Sequence, residues 1–227
     1  MTKLARLPPS LFLALGLAVG SSAVEAADGA GSGFFSGEAV HGVITDAQTG
    51  EPIEGAVIVA RWGSLAYQYR LEGSGYMQGE PLHVDEAVSD AKGRYAIRGW
   101  RREHPVAVRP DDRADPLLAL FKPGYEPLVV RNDAGRYRAG RDSGGRRPSD
   151  WNGGTIRLKR WSGSLGEYAT LLASFQFGGL DWMAKDAWKA MPRMVLALHQ
   201  EKRRLGNDGA PIVGVDRMPG RAGAGTL

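Results

Sequence analysis

Two stretches of this chain are built alike. Residues 41–62 (HGVITDAQTGEPIEGAVIVARW) and residues 86–100 (EAVSDAKGRYAIRGW) each set a turn-rich connection between runs of alternating apolar residues. A period of two over four to eight residues, bounded by Gly, Pro, Asn and Asp, is the pattern of half-buried strands joined by tight turns. It restricts the chain to a mainly β fold, and the count of such runs predicts an antiparallel sandwich of seven to eight strands. A sandwich is a scaffold and implies no chemistry by itself.

The strands can be placed by their patterns. Val40, Gly42 and Ile44 alternate with His41, Val43 and Thr45. Residues 46–52 (DAQTGEP) follow as a turn: Asp46 can bond its own backbone, Gly50 tolerates positive φ, and Pro52 fixes its own. Beyond it, Ala56, Ile58 and Ala60 belong to one face of a second strand, and Val57, Val59 and Arg61 to the other. Residues 63–81, with Tyr67, Tyr69 and Tyr76 among four glycines, read as a long loop or an irregular hairpin. Leu82, Val84, Glu86 and Val88 resume a period of two, and residues 89–93 (SDAKG) turn the chain into Tyr95 and Ile97. Residues 117–121 (LLALF) form a continuous apolar run, as a central strand requires. Residues 128–130 and a strand within 150–161, with Ile156 and Leu158 inward, complete the set.

After Trp161 the period changes. Ser164 and Glu167 have the spacing of a helix capping box, and Tyr168, Leu171, Leu172 and Phe175 follow at helical intervals until Gly178 and Gly179. A second apolar stripe runs from Leu180 through Met183, Ala187, Trp188, Met191, Met194 and Val195 to Leu198. Pro192 should kink or split it, and Lys202, Arg203 and Arg204 suit a helix C-terminus before Gly206. These helices are expected over residues 162–206, with a disordered tail over 207–227.

The first residues carry a sorting pattern. Lys3 and Arg6 precede the short apolar run LFLALGLAV, and Val24-Glu25-Ala26 offers a cleavage point. A secretory h-region needs ~7–15 apolar residues, whereas a spanning helix needs about 20. Residues 1–26 are therefore expected to be a signal peptide, residues 27–37 a flexible spacer, and residues 38–161 the sandwich. The implied location is periplasmic or secreted, with no transmembrane segment once the signal is gone. The chain has no cysteine, so neither a disulfide nor a lipidated cysteine can hold it. A net charge of +4 is mild, and without a concentrated basic face bearing aromatics it does not point to nucleic acid.

The strings GVITDAQTGEPIEGAVIVA, AVSDAKGRYAI and FKPGYEPLVV together resemble the carboxypeptidase regulatory-like domain. Gly42, Asp46, Thr49, Gly50, Pro52, Gly55 and Ala56 match its first motif. Asp90, Gly93, Arg94 and Tyr95 match the second, and Gly124 and Tyr125 a third. The resemblance covers about residues 40–130. It implies a transthyretin-like, prealbumin-like β-sandwich and an accessory or interaction role, either appended to peptidases and receptors or as a stand-alone exported protein. The tyrosine-rich segment and the helical C-terminus depart from it.

Candidate chemistry is sparse. His83 and Glu86 have an H-x-x-E spacing, with His199 far downstream, as in zinc carboxypeptidases. Residues three apart on a strand point to opposite faces, however, so both could not face one ion without a bulge. There is no G-x-S-x-G elbow and no P-loop, and His41 and His104 stand without an obvious nucleophile. No catalytic residue, metal ligand or cofactor is expected, and the chain reads as non-enzymatic. Two features could bind a ligand. Tyr67, Tyr69 and Tyr76 could form an aromatic platform for a glycan or peptide. Arg136, Arg138 and Arg141, in an arginine-rich stretch, could grip an anionic group through their guanidinium forks. The four tryptophans Trp62, Trp100, Trp151 and Trp161 read as packing residues at strand ends, and the Trp188, Met191, Met194 stripe as a cover for the sandwich. The expected function is an exported scaffold or interaction protein acting on an unknown protein or cell-envelope component. The alternatives are a glycan- or peptide-binding module on the tyrosine loop and a zinc peptidase-like enzyme.

Overall fold

The structure is a computed structural model that describes residues 32–68, 75–105, 109–110, 116–132, 149–180 and 187–214, without the side chains of 32–33, 65–68, 75–78, 104–105 and 109–110. It is mainly β, with two helices near the C-terminus. The strands are β1 (Ser32–Gly37), β2 (Val40–Asp46), β3 (Val57–Trp62), β4 (Ser64–Gln68), β5 (Gly75–Gln78) and β6 (His83–Val88). They continue with β7 (Arg94–Ile97), β8 (Trp100–Pro105), β9 (Arg109–Pro110), β10 (Leu117–Phe121), β11 (Leu128–Val130) and β12 (Gly154–Leu158). The helices are α1 (Leu165–Gly178) and α2 (Pro192–Leu205).

Seven of these strands make the body, as a four-stranded sheet of order β11-β10-β3-β6 and a three-stranded sheet of order β12-β2-β7. Their inner faces share one apolar core. Ile58, Ala60, Trp62, Leu118 and Leu120 come from the first sheet, and Val40, Ile44, Tyr95, Ile97, Ile156 and Leu158 from the second. The alternation in β2 is the sequence pattern made solid, since Val40, Gly42, Ile44 and Asp46 all point their even positions away from the exposed His41.

The continuous apolar runs have a different cause. β3 is buried along its whole length, and so is β10. The odd positions Val57, Val59, Leu117, Ala119 and Phe121 face a second core built with Tyr168, Leu172, Phe175, Met191, Met194 and Leu198 of the helices. The helical segment thus covers the outer face of the four-stranded sheet, giving three layers. A strand buried on both faces loses its period of two, and the sequence of β10 shows it.

Local chemistry sets the helix ends. Ser164 caps α1: its hydroxyl accepts from the Glu167 amide, and the Glu167 carboxylate accepts from the Ser164 amide at 3.0 Å. Pro192 occupies the first turn of α2, where its missing N–H costs nothing, so the long apolar stripe is split into a 3-10 turn (Ala187–Ala190) and α2. Met191, which precedes α2, supplies no capping side chain.

Several expectations need correction. The sheet is not wholly antiparallel: β12 pairs with β2 in parallel, Ile156 opposite Ile44. Residues 32–37, expected as spacer, form β1, antiparallel to β8. The described residues carry more strands than seven or eight, because β1-β8 and β5-β4-β9 form two further sheets outside the seven-stranded body. Residues 63–81 contain the β4–β5 hairpin, which decides between the loop and hairpin readings. The tail expected to be disordered stays folded through residue 214. Ile212 is buried, and Gln176 both donates to the Val213 carbonyl (3.0 Å) and accepts from its amide (2.8 Å).

Candidate functional site

The first cluster of charge is a lock. Asp46 ends β2 with 1% of its surface exposed. One carboxylate oxygen accepts from the amides of Gln48 (2.8 Å) and Thr49 (3.1 Å); the other accepts from the Tyr125 hydroxyl (3.0 Å) and from Arg160 Nε (2.6 Å). The Gln48 amide bond leads in holding this carboxyl down to about 2 against its burial, with Thr49, Tyr125 and Arg160 adding to it. Arg160 also lies over the Tyr125 ring, 5.1 Å from its centroid. Tyr168 of α1 ties in the same region, donating to the Tyr125 carbonyl (3.0 Å) and accepting from the Gly124 amide (3.1 Å). The carboxylate is fully engaged by four protein donors, so it holds two turns and the end of β12 together.

The His83–Glu86 pair separates as strand geometry requires. His83 lies opposite Trp62 in the register, and Glu86 opposite Val59. Trp62 belongs to the core between the sheets and Val59 to the core beneath the helices. His83 stacks on Trp100 with centroids 4.9 Å apart and tilts against Trp62 at 5.6 Å. Burial lowers the His83 pKa, Arg102 lowers it further and Asp85 opposes both. Glu86 turns the other way and meets the start of α2. Its carboxylate accepts from the Arg193 amide (2.8 and 3.1 Å) and the Met194 amide (3.1 Å). It supplies from another element the cap that Met191 lacks. Burial raises the Glu86 pKa, and the two amides and the Arg193 charge resist that rise. Among the described residues no group of three or more His, Cys, Asp and Glu is arranged to hold a metal ion.

Beside Glu86 lies an open cleft of about 370 Å³. It is bounded by Asp85 and Glu86 of β6, Ala96 of β7, Arg98, Ala190, Pro192 and Arg193. Two carboxylates and two guanidiniums therefore meet where the edge of the body adjoins the entry to α2. Arg98 and Arg193 are exposed, whereas Glu86 keeps 8% of its side-chain surface. Nothing in the sequence patterns marked this cleft, because its parts are far apart along the chain.

Of the expected ligand-binding residues, Tyr67 and Tyr76 occupy opposite positions in the β4–β5 register. Tyr69 lies outside the described residues, as do Arg136, Arg138 and Arg141. The tryptophans pack as expected. Trp62 is wholly buried, Trp151 donates to the Arg131 carbonyl (3.0 Å), and Trp161 stacks on Tyr168 at 5.4 Å. Met191 and Met194 are buried against the four-stranded sheet. No helix among the described residues is long and apolar enough to cross a membrane.

No protein-family model and no curated protein matches this chain. Solved structures do. A chlorocatechol 1,2-dioxygenase from Pseudomonas putida is 16% identical, with 56% of this chain and 60% of that one covered and a TM-score of 0.28. A catechol 1,2-dioxygenase from Pseudomonas arvilla C-1 is 16% identical over 57% of this chain and 53% of its own, with a TM-score of 0.28. A hydroxyquinol 1,2-dioxygenase from Pseudomonas putida DLL-E4 is 17% identical, with coverages of 56% and 57% and a TM-score of 0.26. This chain thus spans less than two thirds of each. The expectation of a non-enzymatic chain is corrected on this finding, because the solved structures it is similar to are enzymes. Scores and identities of this size transfer no reaction, metal or substrate to it.

Proposed function

We propose that this chain is an exported protein of the cell envelope that acts by holding a partner protein or envelope component. The body is read as a carboxypeptidase regulatory-like, transthyretin-like sandwich. What supports that reading is that the residues at the matched motifs hold turns. Gly50 (φ 74°), Gly93 (φ 71°) and Gly124 (φ 82°) take the left-handed conformations their turns need. Asp46 and Tyr125 join in the lock.

The observation that carries the binding role is the mixed-charge cleft of Asp85, Glu86, Arg98 and Arg193. An open cleft with both signs of charge suits a polar partner surface, where complementary charge fixes register and orientation. A photo-crosslinking residue at position 98, in the exported chain in cells, should give a discrete adduct that Arg193→Glu removes. Fractionation of the same cells, with and without residues 1–26, should place the intact chain outside the cytoplasm and the shortened one inside. A chain that stays cytoplasmic, or yields no discrete adduct, would overturn the proposal.

A second reading, a glycan- or peptide-binding module, is favoured by the register that sets Tyr67 opposite Tyr76. Binding to a glycan or peptide panel that disappears in Tyr67→Ala and Tyr76→Ala, while Arg193→Glu leaves it intact, would select this reading over the first.

A further inference from the structure

Building on the binding role of the cleft at α2, and resting on it, we propose that the outer edge of β7 takes an extended, acidic peptide segment of the partner protein as an added strand.

Residues of an antiparallel ladder turn their N–H and C=O alternately toward the partner strand and away from it. The phase of this alternation is fixed in β2. The His41 amide donates to Asn152 Oδ1 (3.0 Å) and its carbonyl accepts from the Gly153 amide (2.8 Å), so His41 faces β12. The Ile44 amide donates to the Gly93 carbonyl (2.8 Å), so Ile44 faces the β7 side. In the register of β2 with β7, Gly42 is opposite Tyr95 and Val40 opposite Ile97. Tyr95 and Ile97 therefore bond to β2, and Arg94 and Ala96 turn their main-chain groups outward. Arg94 is closed by its own turn: its amide donates to Asp90 Oδ1 (2.9 Å), and its carbonyl accepts from the Asp90 amide (2.9 Å). The outward N–H and C=O of Ala96 meet no partner among the described residues.

An open strand edge is a template for pairing, and folded chains commonly blunt theirs. Two other edges of this body are blunted. On β6 the Glu86 amide donates to Asp85 Oδ1 (2.9 Å). Beyond β12 the Glu126 amide donates to the Lys159 carbonyl (2.8 Å) and the Trp161 amide to the Gly124 carbonyl (3.0 Å). Ala96 differs. It is exposed, it carries only a methyl group, and it lines the open cleft of about 370 Å³. An extended segment in that cleft can exchange two main-chain hydrogen bonds with it, the mode by which a strand is added to a sheet.

Charge selects which segment. Both carboxylates of the cleft already accept amides, Asp85 from Glu86 and Glu86 from Arg193 and Met194. The guanidiniums are less committed. Arg98 is exposed and makes no hydrogen bond or ion pair among the described residues, and Arg193 Nε lies 3.9 Å from Glu86 with 62% of its side chain exposed. The charge left to a partner is therefore positive, and a guanidinium takes a carboxylate through two parallel N–H groups. Arginines flanking an edge also discourage apolar strands, so an acidic segment is admitted and an apolar one is not.

The test is ¹⁵N-edited NMR of the full chain, titrated with an end-blocked synthetic peptide of four Thr-Glu repeats. In the free chain the Ala96 amide should exchange with solvent faster than those of Tyr95 and Ile97. The peptide should shift the Ala96 and Arg98 amides saturably and slow exchange at Ala96. A Thr-Lys peptide, or Arg98→Glu with the acidic peptide, should bind about tenfold or more weakly, as a like-charge contact implies. Ala96→Pro removes an amide that β2 does not use, so the ladder survives and peptide binding should be lost. If that variant does not fold, a Thr-Glu peptide N-methylated on every amide takes its place, since it keeps the charge, cannot donate and should not bind. Binding that survives both changes but disappears in Arg98→Glu would leave the cleft as a binding site and overturn strand addition. An Ala96 amide already protected in the free chain, or no saturable shift with the acidic peptide, would also overturn it, and the cross-link at position 98 would then decide the role of the cleft separately.

Discussion

Asp46 and Glu86 are both carboxylates drawn out of water to accept backbone amides, yet they work in opposite ways. Asp46 is held first by its own turn, through the amides of Gln48 and Thr49, and then by Tyr125 and Arg160. Those donors outweigh burial and favour its charge. Glu86 is held by two amides more than a hundred residues away, at the start of α2, and for it burial outweighs the donors. The first carboxylate is a turn residue that became a lock. The second is a strand residue on the outer face of a sheet, recruited to dock a helix. Local bonding, which needs no other element to be in place, yields a stable charge; long-range docking leaves a carboxylate that the protein holds less comfortably as an anion.

The contrast can be broken by mutation. Asp46→Ala should give the largest loss of stability, read as the midpoint of urea unfolding, because it strands Tyr125, Arg160 and two amides together. Glu86→Ala should cost about 1–2 kcal/mol, the loss of a helix cap, with the α2 amides near Arg193 exchanging faster with solvent. Ser164→Ala and Tyr168→Phe should each cost about 1 kcal/mol in the same measurement, since one removes a cap and the other a hydroxyl with two partners. The smallest effect sharpens the comparison most. Glu86→Gln keeps an acceptor for the helix and removes the charge, so at neutral pH it should change stability little or raise it slightly. A loss as large as that of Glu86→Ala would show that the charge, and not the acceptor, docks α2.

The same two residues set opposite pH slopes. The Asp46 pKa is depressed in the folded state, so its contribution is complete above the ordinary value of 3.8 and is lost as pH falls toward about 2. The Glu86 pKa is raised above 4.5, so the folded chain binds its proton more tightly than the unfolded one. Stability from Glu86 should therefore grow as pH falls through its raised pKa toward 4.5 and then level off. Melting temperature measured across pH should lose the second slope in Glu86→Gln and the first in Asp46→Asn.

These two residues also mark what was legible in the sequence. The turn at Asp46, the capping box at Ser164, the alternation of β2 and the continuous run of β10 could all be read, because each is set by residues within a few positions of one another. The separation of His83 from Glu86 was also readable, since it follows from strand geometry alone. The partners of Asp46 at Arg160, the cap that Glu86 lends to α2, and the cleft beside it were not. Each depends on which element packs on which, and no local pattern encodes that. The parallel pairing of β12 escaped for the same reason. Its residues alternate as any edge strand would, and direction is set by the path of the chain between β2 and β12. The non-enzymatic expectation rested on missing motifs, and motifs are local too.

That parallel pairing has a consequence for how the chain matures. Strand β2 lies between β7 and β12, so until residues 154–158 arrive one of its edges carries unsatisfied amides and carbonyls. The Asp46–Arg160 contact, which spans 114 residues, closes at the same late stage. A growing or threading polypeptide therefore stays pliable until its last strand is delivered, and a fragment cut short before residue 154 would present a sticky ribbon edge to its neighbours instead of a finished body.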